Sequence, residues 1–380
     1  MRKRKRIAKA AALCLLLSTL SGCWDAMDIE DRAVCTSVVV DREGDNYAFY
    51  VEVAVVESRT QNGQREQSEG QAMKTVIVKS SGKDFADARI DLDNKLNKPV
   101  FLGAVQSLIL TERMADSGIE EYALRVRQMV DYRKTMDVIV TPENPRTLLE
   151  MHPENSSSVG FAIEDTLYNI VENGYTFRMS LSDLLQKLVS QNPCYLMSTL
   201  AVRDGQITLV GNTVFSGGKR LGFIPFEESR GIVYLMSREK HKPKYNYVVE
   251  ADDAKFTMDV QLKSRKIKAF YDGERIWYTI EMYLDAQILY PNRDKPYTAA
   301  LKEKLRNEVT AALDRDVSHA LALSREYGDF MSLSEAFRIK YPDVYDQLDW
   351  NQTYQKAEIN VLYSINIKEG ATTDYNPKRE

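Results

Sequence analysis

Residues 255–288 read KFTMDVQLKSRKIKAFYDGERIWYTIEMYLDAQI, and this stretch decides the fold. Phe256, Met258, Val260 and Leu262 occupy alternate positions before Asp272-Gly273, and Ile276, Tyr278, Ile280, Met282, Leu284, Ala286 and Ile288 do so after it. A period of two with one apolar face is the mark of strands covered on one side, and Asp-Gly between them supplies a tight turn. The expectation is a long antiparallel hairpin with one face free to take a helix. That helix follows at 298–327, where Leu301, Leu305, Val309, Leu313, Val317 and Leu321 recur every four residues and Gly328 stands at the C-cap position. At 1.5 Å per residue it is about 45 Å long. The stripe drifts around the helix as a twisted sheet requires, and heptad spacing is absent, so packing on its own sheet is favoured over a coiled coil. A shorter helix at 333–340, Tyr341-Pro342 and an alternating strand through Ile359, Val361, Tyr363, Ile365 and Ile367 complete the region.

Upstream, Asp204-Gly205 separates strands at 200–203 and 207–210. A hairpin is expected at 33–41 and 47–56 around Glu43-Gly44-Asp45-Asn46, with a polar loop at 58–70 and an extended segment at 73–79. Phe85, Ala88, Leu92 and Leu96 predict a helix closed by Lys98-Pro99, and the apolar run 100–110 reads as one buried strand. Helices are expected at 119–130, from Pro145, at 164–171 and at 181–189, with a strand at 136–140. The fold class is therefore α+β: a multi-domain mixed α/β chain with antiparallel sheets, whose C-terminal domain carries a long helix on a sheet. The expected division is a signal at 1–22, an α/β region at 23–195 with room for two subdomains, an α+β domain at 196–370 and a tail at 371–380.

The chain of 380 residues is 44% apolar and 28% charged, which excludes disordered, collagen-like and polytopic membrane classes. Its net charge of −4 hides an asymmetry: Arg2, Lys3, Arg4, Lys5, Arg6 and Lys9 precede any acid, and the body after them is acidic. An acidic body does not suit nucleic acid and is repelled by anionic lipid heads. The basic start, the apolar stretch 10–20 and the small residues before Cys23 have the layout of an export signal, and eleven residues of helix are too short to span a bilayer. Leu20-Ser21-Gly22-Cys23 resembles a bacterial lipobox, in which the cysteine thiol takes a diacylglycerol and the signal is cut before it. Two acyl chains give lasting attachment where one is marginal. Trp24 then suits either the headgroup level or an ordinary linker.

Of the remaining cysteines Cys14 lies in the signal, and Cys35 and Cys194 read as free buried thiols rather than a disulfide. His152, His241 and His319 are far apart with no metal-ligand spacing, and no G-x-S-x-G elbow occurs. Residues 211–219 fail as a phosphate loop, because Thr213 stands where glycine is needed and Arg220 where Ser or Thr should follow Lys219. The acid pairs Asp252-Asp253 and Asp314/Asp316 read as solvated surface. No catalytic residue, metal or cofactor is expected, and Cys23 is the one candidate site residue.

The order of features resembles the Ger(x)C family of spore-germination lipoproteins. The resemblance rests on Cys23-Trp24-Asp25 after the lipobox, Asp28-Ile29-Glu30, the strand ending in Asp41, Phe101-Leu102-Gly103, the 127–133 segment, Thr213-Val214-Phe215 with Leu221-Gly222, Gly328-Asp329-Phe330, Tyr341-Pro342 and Trp350. It departs at Val39-Val40, where the family usually carries glycine before the aspartate, and at Gln128, where an acid is common. The resemblance implies a lipid-anchored, non-catalytic C subunit of a germinant receptor, assembled with polytopic A and B subunits in the inner membrane of the spore, its body on the outer face. The competing reading is a lipid-anchored solute-binding protein feeding a transporter, and an anchored envelope enzyme stands third. Repeated βαβ units around a cleft would mark the binding protein, whereas the second half is dominated by antiparallel hairpins.

Overall fold

The computed structural model describes residues 28–55, 74–129, 131–153, 155–237, 243–291 and 297–369. The signal, Cys23, Trp24, the 58–70 segment, His241 and the tail lie outside them. In chain order the first part contains β1 (Ala33–Glu43), β2 (Asn46–Ala54), β3 (Thr75–Gly82), α1 (Phe85–Lys95), β4 (Val100–Phe101), β5 (Ser107–Thr111), α2 (Glu112–Ser117), α3 (Glu120–Gln128) and β6 (Asp137–Thr141). Then follow α4 (Pro145–Leu149), α5 (Val159–Glu172), α6 (Leu181–Leu188), β7 (Cys194–Arg203), β8 (Gln206–Ser216), β9 (Lys219–Pro225) and α7 (Arg230–Met236). The last part has β10 (Lys244–Ala251), β11 (Ala254–Tyr271), β12 (Ile276–Pro291), α8 (Ala299–Tyr327), α9 (Leu333–Lys340), α10 (Pro342–Tyr345), α11 (Trp350–Lys356) and β13 (Glu358–Lys368).

Strands β1 to β9 form one nine-stranded sheet in the order β3-β2-β1-β5-β6-β7-β8-β9, with β4 beside β1. Its centre is parallel, since β1, β5, β6 and β7 run the same way, and its flanks are antiparallel hairpins. Parallel strands covered on both faces need apolar side chains at every position. Val38 and Val40 accordingly enter one core while Val39 enters the other, and Leu108/Ile109 and Val138/Ile139 divide in the same way. Helices α1, α3 and α6 cover the first face, and α4 and α5 the second.

The run 100–110 is two strands rather than one. β4 pairs Ala33 and Val34, β5 pairs from Ser37, and the chain gains three residues against β1 between them. Leu102 and Val105 turn into the core covered by α1 and α3, and the Val105 amide donates to the Leu102 carbonyl. That turn breaks the alternation on which a single strand depends. At the other end of the sheet, β7–β9 continue it through Pro225, past the division expected at 195/196. Asp204 and Gly205 both adopt positive φ between β7 and β8, the conformation that a two-residue turn demands.

The second sheet has the order β10-β11-β12-β13, with β12 and β13 parallel and the intervening helices lying on one face. Its core is fed by the inward residues of the long hairpin and by Leu301, Leu305, Val309, Leu313 and Val317 of α8. Thr298 caps α8 by accepting from the Leu301 amide, and Gly328 closes it at φ 119°. β10 pairs β11 only as far as Gln261, so among the described residues β11 has no strand partner on that side over 263–271.

The two sheets share a core. Leu196, Val214 and Ile224 face the second sheet's cluster, whereas Tyr195, Met197 and Phe215 on the same strands face the first. α7 approaches α8 so closely that a Cβ on Gly231 would lie 2.0 Å from the Asp316 carbonyl oxygen. At the C-terminal end of α8 sits Asp329, 1% exposed, in the turn after the helix. Its carboxylate accepts from the amides of Leu333 (2.8 Å) and Ser334 (2.7 Å), from Trp350 Nε1 (3.0 Å) and from Asn192 Nδ2 (3.1 Å). Asn192 precedes β7, so one carboxylate fastens the end of the first helical layer to α9 and α11.

Burial pushes the Asp329 carboxyl up to about 6 against the pull of those donors. A folded-state value above the ordinary 3.8 means that the native protein holds this proton more tightly than the unfolded chain, so stability declines as pH rises from about 4 to about 6. Relative to Asp329→Asn, which cannot titrate, the wild-type free energy of unfolding should fall by about 3 kcal/mol across that window and then level off. Asp329→Ala orphans several buried donors at once and should cost about 3 kcal/mol or more at pH 7. Urea denaturation at a series of pH values checks both; a pH-independent difference between wild type and Asp329→Asn contradicts the assignment.

Candidate functional site

The buried carboxylates are occupied by the fold itself. Glu52, 1% exposed, accepts from Thr36 Oγ1 (2.6 Å), Ser37 Oγ (3.1 Å) and the amides of Val159 (2.9 Å) and Gly160 (3.1 Å), so it serves as the anion at the N-terminus of α5. Asp41 holds Thr111 and Arg113, and Asp137 holds Arg178, whose Nη2 also reaches Glu164 at 3.3 Å. Each of these three acids is held by donors of the fold, whereas Asp259 pairs with Lys244 through Oδ2 and leaves Oδ1 without a partner among the described residues.

The histidines and acid pairs singled out in the sequence do not converge. His152 is exposed, and His319 lies on the surface of α8 against Glu228 at 2.8 Å. Asp252 and Asp253 form the tight turn between β10 and β11 at positive φ. Asp314 and Asp316 accept from the hydroxyls of Tyr363 and Tyr247. Residues 211–219 are strand and turn, with Gly217 at φ 57° between β8 and β9. Among the described residues no group of three or more His, Cys, Asp and Glu is placed to hold a metal ion. None of their helices is long and apolar enough to cross a membrane.

One cavity of about 40 Å³ lies between the first sheet and helices α1 and α3. Its sheet wall is Val38, Phe49 and Val51, and its helix wall includes Phe85, Leu92 and Val126, with Leu102 of the β4–β5 turn at one side. Into this apolar space come five polar side chains, Ser80, Tyr122, Tyr132, Arg89 and Arg125. Ser80 is fully buried and its hydroxyl has no hydrogen-bond partner among the described residues. Tyr122 Oη donates to Tyr132 Oη at 3.4 Å, and burial raises both phenols, so they stay protonated. Arg89 is tied to Asp93 at 3.0 Å. Arg125 is half-buried, lies 5.9 Å from the Phe85 ring centroid and makes no ion pair among the described residues. Sequence reasoning missed this cavity because its walls come from residues 38 to 132. Its one local trace is Ser80 following Val78 on the core-facing side of β3.

Several of the motif residues behind the family resemblance are packed inside, whereas Asp28-Ile29-Glu30, Arg127 and Leu221 are exposed. Asp329 and Trp350 meet in the hub described above, with Phe330 buried beside them. Leu102 lines the cavity, Thr213 shares a hydrogen bond with Thr199 at 2.8 Å, and Gly222 lets the Tyr327 ring approach β9. These roles are architectural. Residues 25–202 match the family model for the spore germination protein N-terminal domain, and residues 210–370 match the one for the spore germination B3/GerAC-like C-terminal domain. The chain therefore belongs to the Ger(x)C family of spore germination proteins. Spore germination protein KC of Bacillus subtilis (strain 168) is 20% identical over 90% of this chain and 91% of its own length. Spore germination protein B3 of the same organism is 21% identical over 96% and 97%. The crystal structure of the GerBC protein has the same fold, with a TM-score of 0.51 at 15% identity, over 87% of this chain and 96% of that one.

Cys35 and Cys194 are free thiols, both buried, one in each main core. Burial pushes both thiols up to about 12. The reactive species is the thiolate, so at pH 8 both should resist maleimide in the native protein and label fully in urea. Peptide mass spectrometry after each treatment reads this out. Native-state labelling of either one contradicts its placement.

Proposed function

We propose that this protein is the lipid-anchored C subunit of a nutrient-germinant receptor, non-catalytic, acting with polytopic A and B subunits. The observation that carries this reading is the succession of the two germination domains, over 25–202 and 210–370, directly after Leu20-Ser21-Gly22-Cys23. In this reading Cys23 carries the diacylglycerol and anchors the body to the outer face of the spore's inner membrane. The acidic body after the signal gives no electrostatic hold on anionic lipid. Buried carboxylates saturated by structural donors agree with a scaffold rather than a catalyst.

Contacts with the membrane partners would then run through the exposed surface of the two-sheet body. The first sheet does contain consecutive βαβ crossovers, β5 to β6 and β6 to β7, but the second half carries a long antiparallel hairpin and a single crossover from β12 to β13, which does not favour the solute-binding alternative.

Mass spectrometry of the N-terminus is the direct test. The mature protein should begin at a diacylglycerol-modified Cys23, and Cys23→Ala should leave an uncut, unlipidated chain whose urea midpoint is unchanged. A wild-type N-terminus at any other residue rejects the anchor. Co-expression with polytopic A and B subunits of a germinant receptor, followed by lysine crosslinking, should join body to partner; crosslinks confined to the anchor reject the subunit role.

A further inference from the structure

The cavity behind α1 and α3 has a composition that selects a ligand, and this argument is independent of the germination reading. Its volume of about 40 Å³ compares with the roughly 10–15 Å³ that one water requires, so it is more than a packing defect. Leaving the Ser80 hydroxyl buried without a partner among the described residues costs on the order of 1–3 kcal/mol, and a ligand acceptor placed in the cavity would relieve it. Two guanidinium groups belong to the lining and no carboxylate does. The half-exposed lining residues Arg89, Arg125 and Met129 mark where the cavity reaches solvent.

We propose that this cavity binds a small monocarboxylate with a short, branched hydrocarbon body. Arg125, which has no ion pair among the described residues, is the anchor for the carboxylate, while Arg89 is partly engaged by Asp93. The hydrocarbon is received by Phe49, Val51, Leu92 and Leu102, and Ser80 offers the remaining donor. The same chemistry disfavours two close relatives of such a ligand. An amine of the same shape would bring a cation among guanidinium groups, and a zwitterionic amino acid would bury an ammonium with no acid in the lining to meet it.

Ligand-observed NMR with isovalerate on the full-length chain in detergent tests this, with isopentylamine and leucine as matched probes. Isovalerate should bind saturably at millimolar concentration, and the other two should not. Arg125→Gln should weaken isovalerate about tenfold, the loss of one hydrogen bond to a charged group, without moving the urea midpoint. Ser80→Ala should weaken it severalfold while leaving stability equal or higher, since no hydrogen bond is lost. No saturable isovalerate signal, equal binding of isopentylamine, or an unchanged affinity in Arg125→Gln overturns the proposal. The comparison of probes needs no variant, so a variant that fails to fold does not remove the test.

Discussion

A single buried carboxylate sets how the two halves of this molecule meet. Asp329 lies in the turn that ends the long helix, where four donors from three parts of the chain converge on it. Burying an ion is costly unless every lone pair is used, which leaves little freedom in where α9, α11 and the segment before β7 can sit. Gly328 makes the turn possible, because a Cβ there would press on the Cys194 sulfur at 3.2 Å in a conformation that L side chains avoid. The chemistry of one residue thus positions elements that are far apart in sequence.

The strands around it extend the same constraint. β7 and β8 are read on both faces, with Tyr195 and Phe215 stacked toward the first sheet's helices and Leu196 and Val214 toward the second core. A change in their register would exchange the residues offered to the two cores at once. This makes the hairpin a shared wall rather than a linker, and the absence of room for even a Cβ on Gly231 shows how closely α7 and α8 are packed.

Features with a local cause were legible in the sequence. The alternation at 255–288, the four-residue stripe of α8, the Asp204-Gly205 turn and the proline that opens α4 each depend on neighbours a few positions away. Features with a distant cause were not. The interruption between β4 and β5 depends on Leu102 and Val105 finding a core made by α1 and α3. The continuation of the first sheet through β9 depends on the single pairing of Val140 with Thr199. The cavity and the Asp329 hub assemble side chains separated by tens to more than a hundred residues, and no window of sequence contains them. Cys23, by contrast, was read from its immediate flanks, and it stands outside the described residues.

The far half of β11 has a consequence of another kind. Over 263–271 its outer edge has no strand beside it among the described residues, and such an edge is a template for a neighbouring chain. Lys263, Lys266 and Lys268 crowd this stretch, and all three are exposed. Wherever copies of a protein meet at high local density, edge-to-edge stacking is a standing hazard. Lys263 and Lys268 are paired with Asp285 and Glu281 of β12, and Lys340 of α9 donates to the Ala269 carbonyl, so a second copy stacking on this edge would first have to part charged side chains from their partners.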